Sequence, residues 1–571
     1  MCDVVFVVPS YSPTLFEDYR GTMLLATILK QQGLSVHIHN YYEVDMKQDF
    51  AAFLNQTVET ILSHQPKIVS FYCRCDCYLS NLLLAKALKE ANPELYIVFG
   101  GPQADASDAD TLAEIPWVDF CCRGEGETTV YPLFSALLGN SDYSDVKGLS
   151  YRDSSGRIIR NDPPALVDDL DTLPYIDCDF LSTQAVQHAL TYAKPAAIEV
   201  GRGCPFNCAY CSSSLFWKRK FRLKSAQRIV GEMTEMYNKF GIKNFIFQHD
   251  LFTVNKRKVL EFTQAVDSSG IDFLWACSCR VDTLDEETIA AMAKSGLRAV
   301  FIGVESGSER MQKSMNKNLK IQDVINVVSA LRKHNVKVTA SFIYALPEET
   351  MEDLEKTLQL AYQLHQMGVQ KLQFHLCVIF PGTEYYNRYA DELVLSTTQS
   401  DIVGDFGFLE NQDFIRDHQK LFSFCYEYQS ELRNRFSRLS AYIPCIFQLY
   451  DKFNKYMPDE FSKKPLTELA LEIMDLYEDA APPKQLCGVG VDYASRYLSG
   501  DHQKKAVAAF AYLSDYLAVQ NNPAATTEIK KYGVDITAVA KEKPFAEIEE
   551  RDCFVVFQKN GQKISVTVKA V

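Results

Sequence analysis

Ala196-Ala197-Ile198-Glu199-Val200-Gly201-Arg202-Gly203-Cys204-Pro205-Phe206-Asn207-Cys208-Ala209-Tyr210-Cys211 starts as a short apolar strand and runs straight into a glycine-rich loop with three cysteines spaced C-x3-C-x2-C. Three thiols within eight residues can wrap one metal centre, and soft thiolate ligands favour iron–sulfur clusters or zinc. A structural zinc site is closed by four ligands, whereas a [4Fe–4S] cluster on three cysteines leaves one iron open to another molecule. Zinc with a fourth ligand from Cys277, Cys279 or a histidine is the competing reading of the same spacing.

On the C-terminal side, NFIFQ (244–248), FLWACS (273–278), AVFIGV (299–304), VTASFIYA (338–345) and KLQFHLCVI (371–379) alternate with helix-length segments. With AAIEV they make six βα units, expected as a partial (β/α)6 TIM-type barrel over 191–395 with its chemistry at the C-terminal rim of the strands. On the N-terminal side, VVFVV (4–8), SVHIH (35–39), KIVSFY (67–72), LYIVFG (95–100) and WVDFCC (117–122) give a doubly wound, Rossmann-like unit over 1–145. Such a sheet binds ligands at the carboxyl ends of its strands. Those ends are Pro9-Ser10-Tyr11, Ser70 to Cys73, Gly100-Gly101-Pro102 and Arg123-Gly124-Glu125-Gly126-Glu127. Residues 148–161 read as a short hairpin and 162–190 are Pro- and Asp-rich, so 146–190 is expected to be a linker. In 396–571, residues 412–456 and 462–520 are expected to be mostly helical, and 553–570 to be a hairpin turning at Asn560-Gly561. The fold class is α/β, with a mostly helical C-terminal domain.

The 571 residues are enough for three or four domains. A content of 47% apolar and 23% charged residues excludes a disordered or fibrous chain. The net charge of −14 is the reverse of the basic excess of a duplex-binding protein, so no nucleic-acid partner is expected. No run of about 18 apolar residues marks a membrane span, and Met1-Cys2-Asp3 leads into a strand rather than a signal peptide. The 17 cysteines are therefore read as thiols or ligands in a reducing, cytoplasmic setting.

The cysteine loop resembles the cluster motif of the radical S-adenosylmethionine (SAM) superfamily. The resemblance implies a [4Fe–4S] cluster on Cys204, Cys208 and Cys211 whose open iron chelates SAM, with Tyr210 near the adenine. It extends over about 195–390 through Phe247 to Thr253, Ser278-Cys279-Arg280, Gly303 to Gly307, Phe342 to Thr350 and Phe380 to Glu384. Asp250, Ser278, Arg280, Glu305 and Leu346 are the implied SAM neighbours. Two departures are His249-Asp250 in place of a Gly-Gly-Glu type segment, and Ala345 where glycine is common. The competing reading of Glu305, Asp250 and Arg280 is a buried salt-bridge network.

Ahead of such a barrel, Arg20-Gly21 and the strand ends resemble the cobalamin-binding domain of cobalamin-dependent radical SAM enzymes. Ser10, Tyr11, Ser70, Arg74, Gly100, Gly101, Pro102, Gly124, Glu125 and Glu127 are the implied cobalamin contacts. An Asp-x-His-x-x-Gly motif is missing from the first loop, Pro9 to Thr14, which implies cobalt without a histidine from that loop. Within Cys73-Arg74-Cys75-Asp76-Cys77, Arg74 lies under the cobalt or belongs to a turn of small apolar thiols.

The resemblance implies hydrogen abstraction by a 5′-deoxyadenosyl radical and C-methylation from methylcobalamin, remethylated by a second SAM. Non-methylating radical chemistry (cyclisation, ring contraction or oxidation) is the first alternative, and a non-catalytic cobalamin or iron–sulfur sensor the second. The expected partners are a small-molecule or peptide substrate and a flavodoxin- or ferredoxin-type electron donor. Phe414, Phe422, Phe424, Tyr426, Tyr428, Phe436 and Tyr442 read as substrate pocket or as helix core, and the terminal hairpin as a cap or an edge for a peptide strand.

Overall fold

The computed structural model describes residues 2–9, 19–41, 49–181, 183–396, 407–456, 464–477, 486–521, 527–532, 534, 539–541, 553–560 and 563–570. β1 (Val4–Val8) is buried along its whole length, as a strand covered on both faces must be. It pairs in parallel with β2 (Val36–Asn40) and β3 (Ile68–Tyr72); β4 (Tyr96–Gly100) and β5 (Phe120–Cys122) continue the sheet in the order 2-1-3-4-5. Helices α1 (Arg20–Gln31), α2 (Phe50–Ser63), α3 (Tyr78–Ala91), α4 (Pro102–Glu114) and α5 (Val130–Gly139) connect the strands.

The hairpin expected within the 146–190 linker is present as β6 (Leu149–Arg152) and β7 (Ile158–Arg160). It is not free-standing: β6 pairs antiparallel with β5, making a seven-stranded sheet. The physical reason is edge coverage, since β5 would otherwise expose a row of unpaired backbone groups.

After α6 (Thr183–Tyr192) comes β8 (Ala196–Glu199), and then β9 (Gly201–Arg202), which opens the cysteine loop. The loop contains the single turn α7 (Ser213–Phe216) and closes on β10 (Arg222–Leu223). α8 (Ala226–Phe240), β11 (Asn244–Gln248), α9 (Lys256–Ser269), β12 (Leu274–Cys279), α10 (Glu286–Lys294), β13 (Leu297–Glu305), α11 (Glu309–Ser314), α12 (Ile321–Lys333), β14 (Lys337–Tyr344), α13 (Met351–Gln366) and β15 (Lys371–Leu376) follow. β8 and β11 to β15 form one six-stranded parallel sheet in sequence order, with β8 and β15 at its ends. The alternation of buried residues along β11 and β12 puts Phe247 and Trp275 against the helices, where they meet Phe252 and Phe262 with ring centroids 5.0–5.8 Å apart. The opposite faces of these strands line the lumen.

In the C-terminal region, β16 (Leu393–Leu395) pairs with β17 (Tyr426–Tyr428), and helices run over Glu431–Phe436, Leu439–Tyr456, Leu466–Leu476, Leu486–Tyr497 and Gly500–Asn521. Phe422 packs on Tyr78 and Phe414 on Trp117, at 6.0 and 6.4 Å between centroids, so these aromatics cover the first domain. Phe424, Tyr426, Phe436 and Tyr442 are also buried, Tyr428 partly so. The terminal strands β19 (Cys553–Asn560) and β20 (Lys563–Ala570) pair as a hairpin; the connecting Gly561 lies outside the described residues. β18 (Thr527–Tyr532), not anticipated from the sequence, pairs with β19 as a third strand. No described helix is long and apolar enough to cross a membrane.

Candidate functional site

The strand ends of the two sheets open onto one cavity of about 880 Å³. Ser70, Gly100, Gly101, Pro102 and Gly124 line it from the first sheet, and Arg202, Ser212, Ser213, His249, Asp250 and Ser278 from the barrel. Gly101 has φ +101°, and a Cβ there would sit 2.8 Å from the Cys73 carbonyl oxygen. Only glycine fits, so this wall offers bare backbone to a flat ligand. Ser10 and Tyr11 lie outside the described residues. Arg74 does not line the cavity; its guanidinium forks onto Asp76 at 3.0 and 2.8 Å.

β9 and β10 pair antiparallel, Arg222 opposite Arg202, and pin both ends of the cysteine loop. Within the loop, Ala209 N donates to Met315 O at 2.9 Å, Tyr385 N donates to Ala209 O at 3.1 Å, and Cys211 N turns back to Cys208 O at 3.1 Å. Cys204, Cys208 and Cys211 are partly exposed free thiols. Burial and the neighbouring thiols push Cys204 up to about 11, and burial raises Cys211. Among the described residues no three His, Cys, Asp or Glu side chains are grouped as a single ion requires. Cys277 and Cys279, considered as a fourth zinc ligand, are buried in the core between sheet and helices, with their sulfurs 3.5 Å from each other. A polynuclear cluster takes one cysteine per iron, which suits a set of three thiols.

Tyr210, Glu305 and Arg280 join a network that includes a residue not singled out in the sequence, Lys317. Its Nζ donates to Glu305 Oε1 at 2.7 Å and to Tyr210 OH at 3.3 Å, and Tyr210 OH donates to Glu305 Oε1 at 3.1 Å. Burial and the adjacent Glu305 hold the Tyr210 hydroxyl well above its ordinary value. Glu305 ends β13 in the left-handed region, φ +68°, and Ala345, the residue after β14, is likewise at φ +57°. Such conformations persist where surrounding contacts impose them. Arg280 donates to Cys208 Sγ at 3.6 Å and to the Lys317 carbonyl at 2.8 Å, and lies 3.8 Å from the Phe206 ring centroid.

Asp250 accepts from Ser213 Oγ at 3.0 Å, and burial raises its carboxyl. His249 accepts at Nδ1 from Leu251 N at 2.8 Å, and burial lowers the imidazole to about 4, so it is neutral at pH 7 with its proton on Nε2. Leu346 is buried in the apolar cluster that contains Ala209 and Met315; its N–H donates to Glu349 Oε2 at 3.3 Å. Glu125 and Glu127 line the cavity, but their carboxylates are engaged by arginines of the barrel.

Comparison with known proteins agrees with this geometry. The radical SAM superfamily profile matches residues 198–361, and the B12 binding domain profile residues 16–133. An uncharacterised methyltransferase of Pyrococcus horikoshii is 29% identical over 378 residues, 66% of this chain and 79% of that protein. The anaerobic magnesium-protoporphyrin IX monomethyl ester cyclase of Rubrivivax gelatinosus is 27% identical over 312 residues, and the chain spans just over half, 56%, of its length. In fold, the chain is similar to the radical SAM methyltransferase TsrM of Kitasatospora setae, solved with cobalamin and a [4Fe–4S] cluster, with a TM-score of 0.59 at 15% identity over 82% of this chain and 99% of that one. The three-cysteine loop at the barrel rim and the glycine-walled sheet across the cavity fit those two cofactors and SAM, and the chain joins a B12-binding domain to a radical SAM domain, the pairing that defines cobalamin-dependent radical SAM enzymes.

Proposed function

We propose that the enzyme is a C-methyltransferase that acts on an unactivated carbon of a small-molecule or peptide substrate. The observation that carries this reading is the single cavity bordered by the strand ends of both domains, which lets two cofactors face one substrate. When bound, the cluster with SAM supplies a hydrogen-abstracting radical and cobalamin supplies the methyl group, while the protein supplies placement and shielding.

Cys204, Cys208 and Cys211 hold the cluster as thiolates, each releasing a proton on binding. Tyr210, Glu305 and Lys317 keep a fixed set of charges and donors beside the loop, with Arg280 steadying Cys208. Asp250, Ser278 and the backbone near Leu346 are the further SAM contacts, with Asp250 aimed by Ser213. Ser70, Gly100, Gly101, Pro102 and Gly124 form the corrin wall, the glycines allowing close approach. A flavodoxin- or ferredoxin-type protein is the electron donor. The first domain comprises the cobalamin side, 191–395 the cluster side, and the C-terminal region the substrate cap.

The Pyrococcus horikoshii relative, named as a methyltransferase, supports this reaction class. The cyclase relative supports the second reading, radical chemistry without methyl transfer. Anaerobic reconstitution with iron, sulfide and cobalamin, followed by dithionite and SAM, separates them by mass spectrometry. Both 5′-deoxyadenosine and S-adenosylhomocysteine are expected, and both are lost when Cys204, Cys208 and Cys211 become alanine. Deoxyadenosine alone refutes methyl transfer and selects the second reading.

A further inference from the structure

Glu125 belongs to the first domain, yet both its carboxylate oxygens are bound by the stem of the cysteine loop. Arg202 Nη1 donates to Glu125 Oε1 at 2.7 Å, and Arg222 Nη1 donates to Glu125 Oε2 at 3.0 Å. These arginines are the paired residues of β9 and β10, one at each end of the loop. Val167 N also donates to Glu125 Oε2 at 2.5 Å, and Arg222 returns a bond to Val167 O at 2.7 Å. Arg202 reaches Glu127 Oε1 at 2.6 Å and pairs with Glu199 at the end of β8. The Glu125, Arg202 and Arg222 side chains are only 1%, 5% and 7% exposed. Burial opposes ionisation of Glu125, but Arg222 and Arg202 outweigh it and hold the carboxyl below its ordinary value. Trp217, inside the loop, places its ring 5.8 and 5.5 Å from the two guanidinium carbons. A second tie lies on the open edge of the barrel, where Arg20 of α1 donates to the carbonyl of Ala197 in β8.

We propose that Glu125 is a positioning residue: a buried clamp that locks both ends of the cluster loop to the cobalamin-facing sheet and so sets the separation of the two cofactors. It acts through Arg202 and Arg222, and its oxygens are already filled without a corrin. The proposal rests on the assignment of the cluster and cobalamin to the two sides of the cavity, not on which reaction they perform.

The test is Glu125→Gln in the full-length holoenzyme reconstituted with iron, sulfide and cobalamin, read by hydrogen exchange over 201–223, by cobalamin retained after gel filtration, and by products formed from SAM. The clamp requires exchange over 201–223 to rise by about tenfold or more, with cobalamin content unchanged. It also requires the ratio of S-adenosylhomocysteine to deoxyadenosine to fall while deoxyadenosine still forms. Arg202→Gln raises the exchange at least as far, because Arg202 also holds Glu127 and Glu199, and adding Glu125→Gln to it gives less than the sum of the two single effects. Glu125→Asp keeps the charge but shortens the reach, so it carries the exchange measurement if the Gln variant does not fold. Loss of cobalamin with unchanged exchange overturns the proposal in favour of a corrin contact, and no change in either overturns it outright. A parent enzyme that makes no S-adenosylhomocysteine bears on the methyl-transfer reading alone, because the exchange readout still decides the clamp.

Discussion

Lys317→Ala removes the ammonium that faces Glu305 while leaving the surrounding backbone held. The loop keeps the bond from Arg280 to the Lys317 carbonyl at 2.8 Å and the bond from Asn316 Nδ2 to Asn207 O at 2.8 Å. What is lost is the partner of a carboxylate whose side chain is 9% exposed, leaving among the described residues the Tyr210 hydroxyl on it. Removing one member of a buried ion pair costs about 3–5 kcal/mol. For a domain of the barrel's size each kcal/mol lowers the melting temperature by about 2–4 °C, so the transition should fall by about 6–20 °C. Replacing both partners, as Glu305→Gln with Lys317→Met, leaves no lone charge and should recover at least half of that loss. Scanning calorimetry of the parent, the Glu305→Gln and Lys317→Met single variants and their double variant closes the cycle. A Lys317→Ala shift under about 3 °C, or a double variant that loses the sum of the two singles, would refute the reasoning.

Two further outcomes follow from the same geometry. Gly101→Ala puts a methyl 2.8 Å from the Cys73 carbonyl at φ +101°, and should weaken cobalamin retention by about tenfold or more without changing iron content. Gly156→Ala, also at positive φ but in open space, is the control that leaves cobalamin binding intact; absorption after gel filtration reads both. Burial pushes the Glu349 carboxyl up to about 8, above its unfolded value of about 4.3. Between those values the unfolded chain gives up the proton first, so stability falls as pH rises, by up to about 1.4 kcal/mol per unit. Urea midpoints at pH 5.5 and 8 should therefore converge in Glu349→Gln.

Much of the fold was legible because strands in parallel sheets are short β-branched or aromatic runs between helix-length segments. NFIFQ matches β11 residue for residue, and the other barrel strands begin and end within a few residues of their apolar runs. WVDFCC contracts to Phe120–Cys122 because Trp117 leaves the strand to donate its indole N–H to Leu82 O at 2.8 Å. The cysteine loop was legible from spacing alone. Lys317 was not, since it stands on an unremarkable stretch, Asn316-Lys317-Asn318, and gains its partner only when the left-handed backbone at both asparagines turns it toward Glu305. Glu125 was legible as a strand-end residue but not as an ion-pair partner, because Arg202 and Arg222 lie 77 and 97 positions away in the chain. Arg202 sits inside the quoted motif, and an arginine so close to a cluster ligand was the one signal available. The place of β6 in the first sheet depends on which edge is left open, and no local pattern encodes that.

The two-residue pairing of β9 with β10 also bears on the order of assembly. It ties residues 202 and 222 together, so the 19 residues between them form a ring closed by main-chain pairing. Closing a flexible loop of that length from free ends would cost about 2.6 kcal/mol in chain entropy, from (3/2)RT ln n. Here part of that constraint comes from main-chain pairing at the stem, so the loop is closed by the polypeptide and not by its ligands alone. In this it differs from a zinc finger, whose peptide is unfolded until the metal binds.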